Sequence, residues 1–474
     1  MTFDLNILPA PKRAALSIHF VVVGGGIAGL SCAIALSRVG HRVTVLERLK
    51  SHEEATGGCR MPPNLSKVLY HWGMEKDVLK VGLKSVGIEL ILFETGETLG
   101  QHIWDEEVLR ETRGEFIFSH HSDLLQLLHE TAVSLGAKIR MGVTVTGIDP
   151  ETRRVKLSSG EILTGDVIVG ADGATGVSRR LLEMDDEEPV HRFNCYSTVT
   201  PKSIAVQDPE LAPLFEPGVN RMFSWFGNNH AVLAFPMGVG EREAIAMYTY
   251  GPKDGNEGGW PDLADVSGLK KYCSTAESRL QKLAAISPNP PACLPVMSFP
   301  ELEDWVHDSG RLIVVGDAAH PIPAGAIQDA AMALEDGAVL AKLFSHLRTE
   351  DQIETLLYAF QDLRQPHCQK VSSKELHDIN FMCMPPGEMQ EGRDNVMRGK
   401  RDAGLNVLDA SGDQEEQAEW AEIKDVFGYD AEDDADNWWM EWGLLRERAR
   451  GTDVAGGHVQ PVAVMQGVSQ AYAP

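Results

Sequence analysis

A chain of 474 residues is long enough for two or three domains around a large core, and a hydrophobic share of 43% is ordinary for a globular protein. Its formal net charge of −26 argues against nucleic acid and anionic membrane surfaces as partners. The charge is uneven: twelve acidic residues and one lysine stand between Asp409 and Asp436, which reads as a solvated tail.

Residues 1–16 read as a loose leader. Lys12-Arg13 before the apolar run Ala14–Leu36 imitates a targeting signal. His19 and four glycines interrupt that run, so it reads instead as a buried strand and helix. No other stretch is long and apolar enough to span a bilayer. Ile18–Val23 is a short strand, Ala28–Val39 a helix ended by Gly40, and Arg42–Leu46 a second strand, together a βαβ unit. Leu65–Trp72 has helical spacing, and Ile88–Phe93 and Phe116–Phe118 read as strands. Ser122–Leu135 is an amphipathic helix with Leu124, Leu127, Leu128 and Ala132 on one side and Gly136 past its end. Alternation through Ile139, Val143, Val145 and Ile148 leads into a hairpin of Val155–Leu157 and Glu161–Val169.

From about 190 to 300 the strand-like runs Ala231–Phe235 and Ala244–Tyr250 are divided by Pro and Gly loops, the pattern of an antiparallel β-domain. Arg311 begins a strand that returns to the first domain. Helices over about Gln328–Leu347 and Ile353–Asp378 follow. Past Pro385-Pro386-Gly387 the chain turns polar and acidic. Trp438-Trp439 and Trp442 interrupt it, which predicts that part of the tail packs back on the body. The seven cysteines are odd in number and form no C-x-x-C pair. They read as free thiols in a reducing, cytoplasmic setting, with no disulfide framework and no zinc site.

Three segments carry chemistry. Gly24-x-Gly26-x-x-Gly29 follows a strand and opens a helix. The first glycine permits the tight turn, the second lets a diphosphate approach the backbone, and the third lets helix and strand pack closely. The helix N-terminus then faces the phosphates. Glu47 ends the second strand, eighteen residues after Gly29, where a carboxylate accepts from ribose hydroxyls. Gly170-Ala-Asp172-Gly173 and Arg311-Leu-Ile-Val-Val-Gly316-Asp317 each follow an apolar run. A carboxylate at 317 suits a ribityl chain, and the helix from Gln328 directs its positive end toward the flavin ring. The order of the three points to one flavin dinucleotide.

These residues resemble the group A FAD-dependent aromatic monooxygenases, which include salicylate and p-hydroxybenzoate hydroxylases, and within them the secondary-metabolite branch. Gly58-Cys-Arg60-Met-Pro62-Pro63-Asn64, Ala330-Ala-Met-Ala-Leu-Glu335-Asp336, His320-Pro321, and Tyr358 with Arg364 add to the likeness, which covers about residues 18–380. The resemblance implies an α/β fold. A Rossmann-like FAD-binding domain of the glutathione-reductase type (17–190 and 301–385) would carry an inserted antiparallel β-sheet substrate domain (191–300). A helical C-terminal region would end in an acidic, Trp-containing extension (386–474). It also implies that NADPH or NADH reduces FAD, and that dioxygen then gives a C4a-hydroperoxide. That species would hydroxylate or epoxidise an aromatic or secondary-metabolite substrate. FAD contacts carried across fall on Glu47, Arg60, His121, Asp317 and Ala330, beside Gly24, Gly26, Gly29 and Asp172. No metal is implied, and no catalytic acid or base is assigned.

The chain departs from that pattern at several places. His121 stands where the family has Arg, and a histidine lacks the guanidinium fork. In Pro321-Ile-Pro323-Ala-Gly325-Ala-Ile-Gln328-Asp329 the second proline comes one place early, and Asp329 replaces glycine. A carboxylate is favourable as a helix cap but unfavourable beside a reduced flavin. Asp329 is therefore expected to point away, the other reading being a flavin tuned differently. Gly176 replaces a common serine, while Arg179 keeps its place. In the expected substrate pocket (Tyr196, Ser197, Phe235, Pro323), Ser197 replaces an arginine and Phe235 a tyrosine. The alternative is therefore an oxidoreductase or cyclase of the same fold that inserts no oxygen. A flavin halogenase is disfavoured by the lack of a Trp-x-Trp-x-Ile-Pro run.

Overall fold

Short runs of Val, Ile and Leu, buried on both faces, build all but one edge strand of a parallel sheet. Its strand order is Leu312–Val314, Val167–Gly170, His19–Val23, Arg42–Leu46, Lys138–Arg140. The computed structural model describes residues 11–445 except 55–56, 184–187, 217, 219, 256–263, 288–289 and 410–424. The first strand and its helix α1 (Ile27–Arg38) match the expected βαβ unit to within a residue or so. Every residue of α1 up to Ser37 is buried, as befits a helix apolar on all sides. Helix α2 is Pro63–His71 and helix α3 is His121–Ser134. Helix α4 (Asp329–Phe344) lies across α1, and the Ser31 hydroxyl donates to the Ala333 carbonyl at 3.0 Å where they meet. Helix α5 (Ile353–Met382) runs four residues past the expected end and carries Pro366 inside it.

A second sheet has seven strands. Their order is Ala292–Ser298, Val190–Pro201, Ala244–Gly251, Ala231–Met237, Arg221–Phe226, Gly87–Leu92, Thr98–Ile103. The last two come from the N-terminal third of the chain, so the expected 191–300 block does not make this sheet alone. Arg221–Phe226 pairs with Gly87–Leu92 in parallel, and the remaining pairs are antiparallel. Side-chain alternation gives a strand its faces but not its partner across more than a hundred residues of chain.

One face of this sheet (Cys195, Phe235, Ala246, Tyr248) packs with Phe118. Phe118 belongs to a small antiparallel sheet of Gly58–Met61, Ile117–His120 and Gly82–Lys84. The other face (Tyr196, Trp225, Met247) is covered by Leu269, Tyr272 and Leu280. Helix α6 (Glu388–Asp402) lies against the Thr98–Ile103 edge, where Arg398 grips the Glu97 carboxylate at 2.9 and 3.0 Å.

The C-terminal helix α7 (Ala431–Trp438) docks on α2 and α4. Trp72 donates to Glu432 at 3.1 Å, and Lys67 to the Tyr429 carbonyl at 2.7 Å. The Tyr429 ring stacks on His367 and Trp439 on His346, while Trp442 stays exposed. Part of the Trp-bearing tail does pack back, and the acidic run 410–424 lies outside the described residues. All seven cysteines are free and buried.

Candidate functional site: a cofactor cleft

The parallel strands end on one cleft of about 580 Å³. Gly24 adopts φ 109°, and a Cβ there would lie 2.1 Å from the Ala171 carbonyl oxygen. A Cβ on Gly29 would sit 2.0 Å from the Gly24 oxygen, so this glycine packs the helix onto the turn. A Cβ on Gly26 would meet no atom within 4 Å, and the residue opens to the cleft. It is also the N-cap of α1 and carries no side-chain cap, which leaves the first amides of the helix free for an anion. Glu47 braces this turn: its carboxylate accepts from the Gly25 amide at 2.6 Å and the Leu49 amide at 2.7 Å.

The second segment brings Asp172 to the same cleft. Its carboxylate accepts from the Ser178 amide at 3.1 Å and from the Ser178 hydroxyl. A Cβ on Gly176 would lie 2.2 Å from the Asp172 carboxyl carbon, which accounts for glycine where serine is common. The third segment supplies Asp317, whose side chain faces the cleft.

Behind Asp317 a buried ion network fixes the loop. The Gly316 amide donates to Asp336 at 2.7 Å, and Asp336 also pairs with His320 at 2.7 Å and with Arg364 at 2.8 Å. Arg364 further pairs with Glu335 at 2.9 Å, which accepts from Asn64 at 2.7 Å. Burial opposes ionisation of Asp336, but His320 and Arg364 outweigh it and hold the pKa at about 2. Buried ions persist when paired in this way.

Residues 17–375 match the FAD-binding domain family. The chain belongs to that family. FAD-dependent monooxygenase OpS4 of Beauveria bassiana strain ARSEF 2860 is 29% identical over 400 residues, covering 80% of this chain and 89% of the relative. FAD-dependent monooxygenase ntnJ of a Nectria species is 27% identical over 411 residues, 83% of this chain and 92% of that one. The fold is shared with the crystal structure of CtdE in complex with FAD and substrate 4. The TM-score is 0.75 at 20% identity, over 91% of this chain and 100% of that one. With an FAD-binding family and relatives so named, the protein is an FAD-dependent monooxygenase.

Against that identity the individual residues divide by where they lie. Gly24, Gly26, Glu47, His121, Asp172 and Asp317 all line the monooxygenase's cleft. Gly29 and Ala330 pack behind it, Ala330 buried in α4. Arg60 lies at the seam with the second sheet. Its guanidinium is 5.5 Å from the centre of the Phe235 ring and 5.9 Å from that of Tyr248, and it donates to the Gly325 carbonyl. Tyr196 points to the far face and donates to Asp254, so strand alternation removes it from the cleft side. Ser197 and Phe235 are on the near face, where Phe235 meets Phe118 at 4.9 Å. Pro323 borders a separate 180 Å³ cavity beside His320 and Ser372.

Asp329 does not point away. Gln328 is the N-cap of α4, and Asp329 faces the monooxygenase's cleft without capping the helix. The cap comes from elsewhere: Glu375 on α5 accepts from the Ile327 and Gln328 amides at 2.9 and 3.0 Å. Sequence reasoning missed Glu375, Tyr248 and His52. His52 also lines the cleft and meets His129 at 2.9 Å. Burial, with some help from His52, depresses the pKa of His121 to about 4. Only His121 and His129 share a helix, so no local spacing marks this trio.

Proposed function

We propose that this monooxygenase holds FAD along the cleft. The diphosphate would lie over Gly24–Gly26 and the N-terminus of α1, the adenosine ribose at Glu47, the ribityl chain at Asp317, and the flavin ring toward Asp329. NADPH or NADH would supply electrons, and one atom of dioxygen would enter an aromatic or other secondary-metabolite small molecule. The observation that carries this reading is the convergence of three segments, near residues 24, 172 and 317, on one cleft. The absence of any side chain at Gly26 and the uncapped helix amides fit a diphosphate.

Bound flavin would supply the electron relay and the activation of dioxygen. The chain's own residues position and exclude. Asp336 and Arg364 immobilise the loop that carries Asp317. Phe235 and Tyr248, stacked at 6.2 Å under Arg60 and both buried, pack the seam between the second sheet and the strand that carries Arg60. The partition into 17–190 with 301–385 around a substrate sheet is part of the same proposal, with the strands at 87–103 now counted in that sheet.

Purified protein should be yellow and should oxidise NADPH or NADH faster once its substrate is present. Under labelled dioxygen the product should gain one labelled oxygen atom. Turnover without label would favour the second reading, a flavin oxidoreductase or cyclase without oxygen insertion, which Ser197 in place of arginine motivates.

A further inference from the structure

The loop that follows Asp317 is a wall between two spaces. Ile322 lines the cofactor cleft, Pro321 and Pro323 line the separate cavity of about 180 Å³, and His320 borders both. A stripe of α5 makes another wall of that cavity: Gln365, Cys368, Ser372 and Leu376, three or four residues apart and so on one helix face. Glu301, Gln369 and Ser373 also border it and are exposed, so the cavity reaches solvent. Two polar atoms of its wall residues, His320 Nδ1 and Ser372 Oγ, are buried with no hydrogen-bond partner among the described residues. His320 as a whole is 8% exposed. We propose that this cavity is a second small-molecule site, which takes a one-ring aromatic carbonyl compound whose oxygen accepts from His320 Nδ1 and the Ser372 hydroxyl.

Size, wall chemistry and the orphaned atoms agree on that class. An apolar cavity of about 150 Å³ takes benzene. At about 180 Å³ this one has room for a ring and a short substituent. Phe299, Trp305, Pro323 and Leu376 give the ring apolar walls. The Trp305 ring centre lies 5.4 Å from that of His320, and Asp336 accepts from His320 Nε2 at 2.7 Å, so the imidazole is held in place with Nδ1 left over. Burial opposes a charge on this imidazole, but the Cys368 sulfur and the Asp336 carboxylate outweigh it and hold the His320 pKa well above its ordinary value. Nδ1 therefore carries a hydrogen. A buried donor without an acceptor costs free energy that a ligand oxygen recovers. A neutral carbonyl suits the place better than a carboxylate, because Glu301 borders the cavity and Asp336 already neutralises the ring.

His320 also joins this site to the cofactor loop. Its partner Asp336 accepts from the Gly316 amide at 2.7 Å, one residue before Asp317. An acceptor at Nδ1 stabilises the imidazolium and with it the His320–Asp336 pair. An occupied site therefore holds the Asp317 loop more firmly and slows the loss of FAD. By reciprocity, bound FAD tightens the ligand by the same factor. This consequence rests on the reading that FAD fills the cleft, whereas the site itself does not.

The test is a ligand-observed NMR titration of acetophenone into the full chain, with and without added FAD. Acetophenone should bind. Ethylbenzene, of the same outline without the carbonyl, should bind about tenfold or more weakly. Ser372→Leu fills the cavity and should abolish acetophenone binding. Ser372→Ala keeps the space but loses the hydroxyl and should weaken binding about two- to tenfold, and it serves if Ser372→Leu folds poorly. Acetophenone should also slow FAD release, followed by the fluorescence of freed flavin, in the wild type and not in Ser372→Leu. No acetophenone binding, or binding that neither substitution changes, overturns the site. Equal binding of ethylbenzene overturns the carbonyl class. Binding that both substitutions weaken, with FAD release unmoved, overturns the link to the loop and upholds the site. Protein that takes up no FAD, visible at once in its spectrum, overturns the cofactor reading, and the titration without FAD still decides the site.

Discussion

Two glycines with the same backbone requirement have opposite surroundings, and that contrast tests the cleft one residue at a time. Gly24 (φ 109°) and Gly136 (φ 97°) both lie where L residues are strained. A Cβ on Gly136 meets nothing within 4 Å, whereas one on Gly24 strikes the Ala171 carbonyl at 2.1 Å. Gly136→Ala should therefore cost only the strain, about 1–3 kcal/mol, with full FAD content. Gly24→Ala should cost more and should also lose FAD, because Ala171 cannot yield without moving Asp172. Denaturant melts and the visible absorbance of the purified variants would check both. The residue motifs were legible from the chain because glycine spacing and terminal carboxylates are local signals. Asp329 was not legible: its orientation depends on Glu375, which lies on another helix.

At the scale of elements, the crossing of α1 and α4 decides how firmly the glycine turn is held. A Cβ on Gly337 would approach the Ser31 hydroxyl to 2.5 Å and the Ser31 carbonyl carbon to 2.6 Å. Helix propensity alone favours Ala over Gly by about 1 kcal/mol. Overpacking a closed helix contact costs about 1–3 kcal/mol. The second effect should win, so Gly337→Ala is expected to lower stability and weaken FAD binding by shifting α1. Gly399→Ala on α6, where nothing lies within 4 Å, should instead stabilise by about 1 kcal/mol. Thermal melts of the two variants should move in opposite directions. The periodicity of α1, α3 and α4 was readable in advance. The closeness of one crossing was not, since it depends on the angle at which two helices meet.

Across the whole molecule, the C-terminal segment covers the buried ion network that steadies the Asp317 loop. Tyr429 lies 5.4 Å over the Arg364 guanidinium, and Arg364 is fully buried. Truncation after Asp409 removes that cover together with the Glu432 and Asp436 contacts to Trp72 and Lys342. Water would then reach Arg364 and Glu335 and weaken their hold on the loop through Asp336. The truncated protein should melt several degrees lower and release FAD faster, measured by thermal denaturation and by the fluorescence of freed flavin. Unchanged melting and FAD retention would show the segment to be a passenger. The tryptophans of the tail announced packing of some kind, but their partners Trp72, His346 and His367 are scattered along the chain.

What the chain determined unaided was everything written in short-range pattern. This covers the βαβ unit at its N-terminus, the three nucleotide segments, the free thiols and the change of character near residue 190. Those features depend on neighbours within about one turn or one strand, where steric and hydrophobic periodicity act directly. Tertiary structure alone decided the rest. It sent Tyr196 to the far face of its sheet and borrowed two strands from the N-terminal third. It also placed Arg60 over Phe235 and aimed Asp329 into the cleft. Each of these depends on which distant segment arrives alongside, and that is settled by collective burial and the pairing of buried charge, not by local preference.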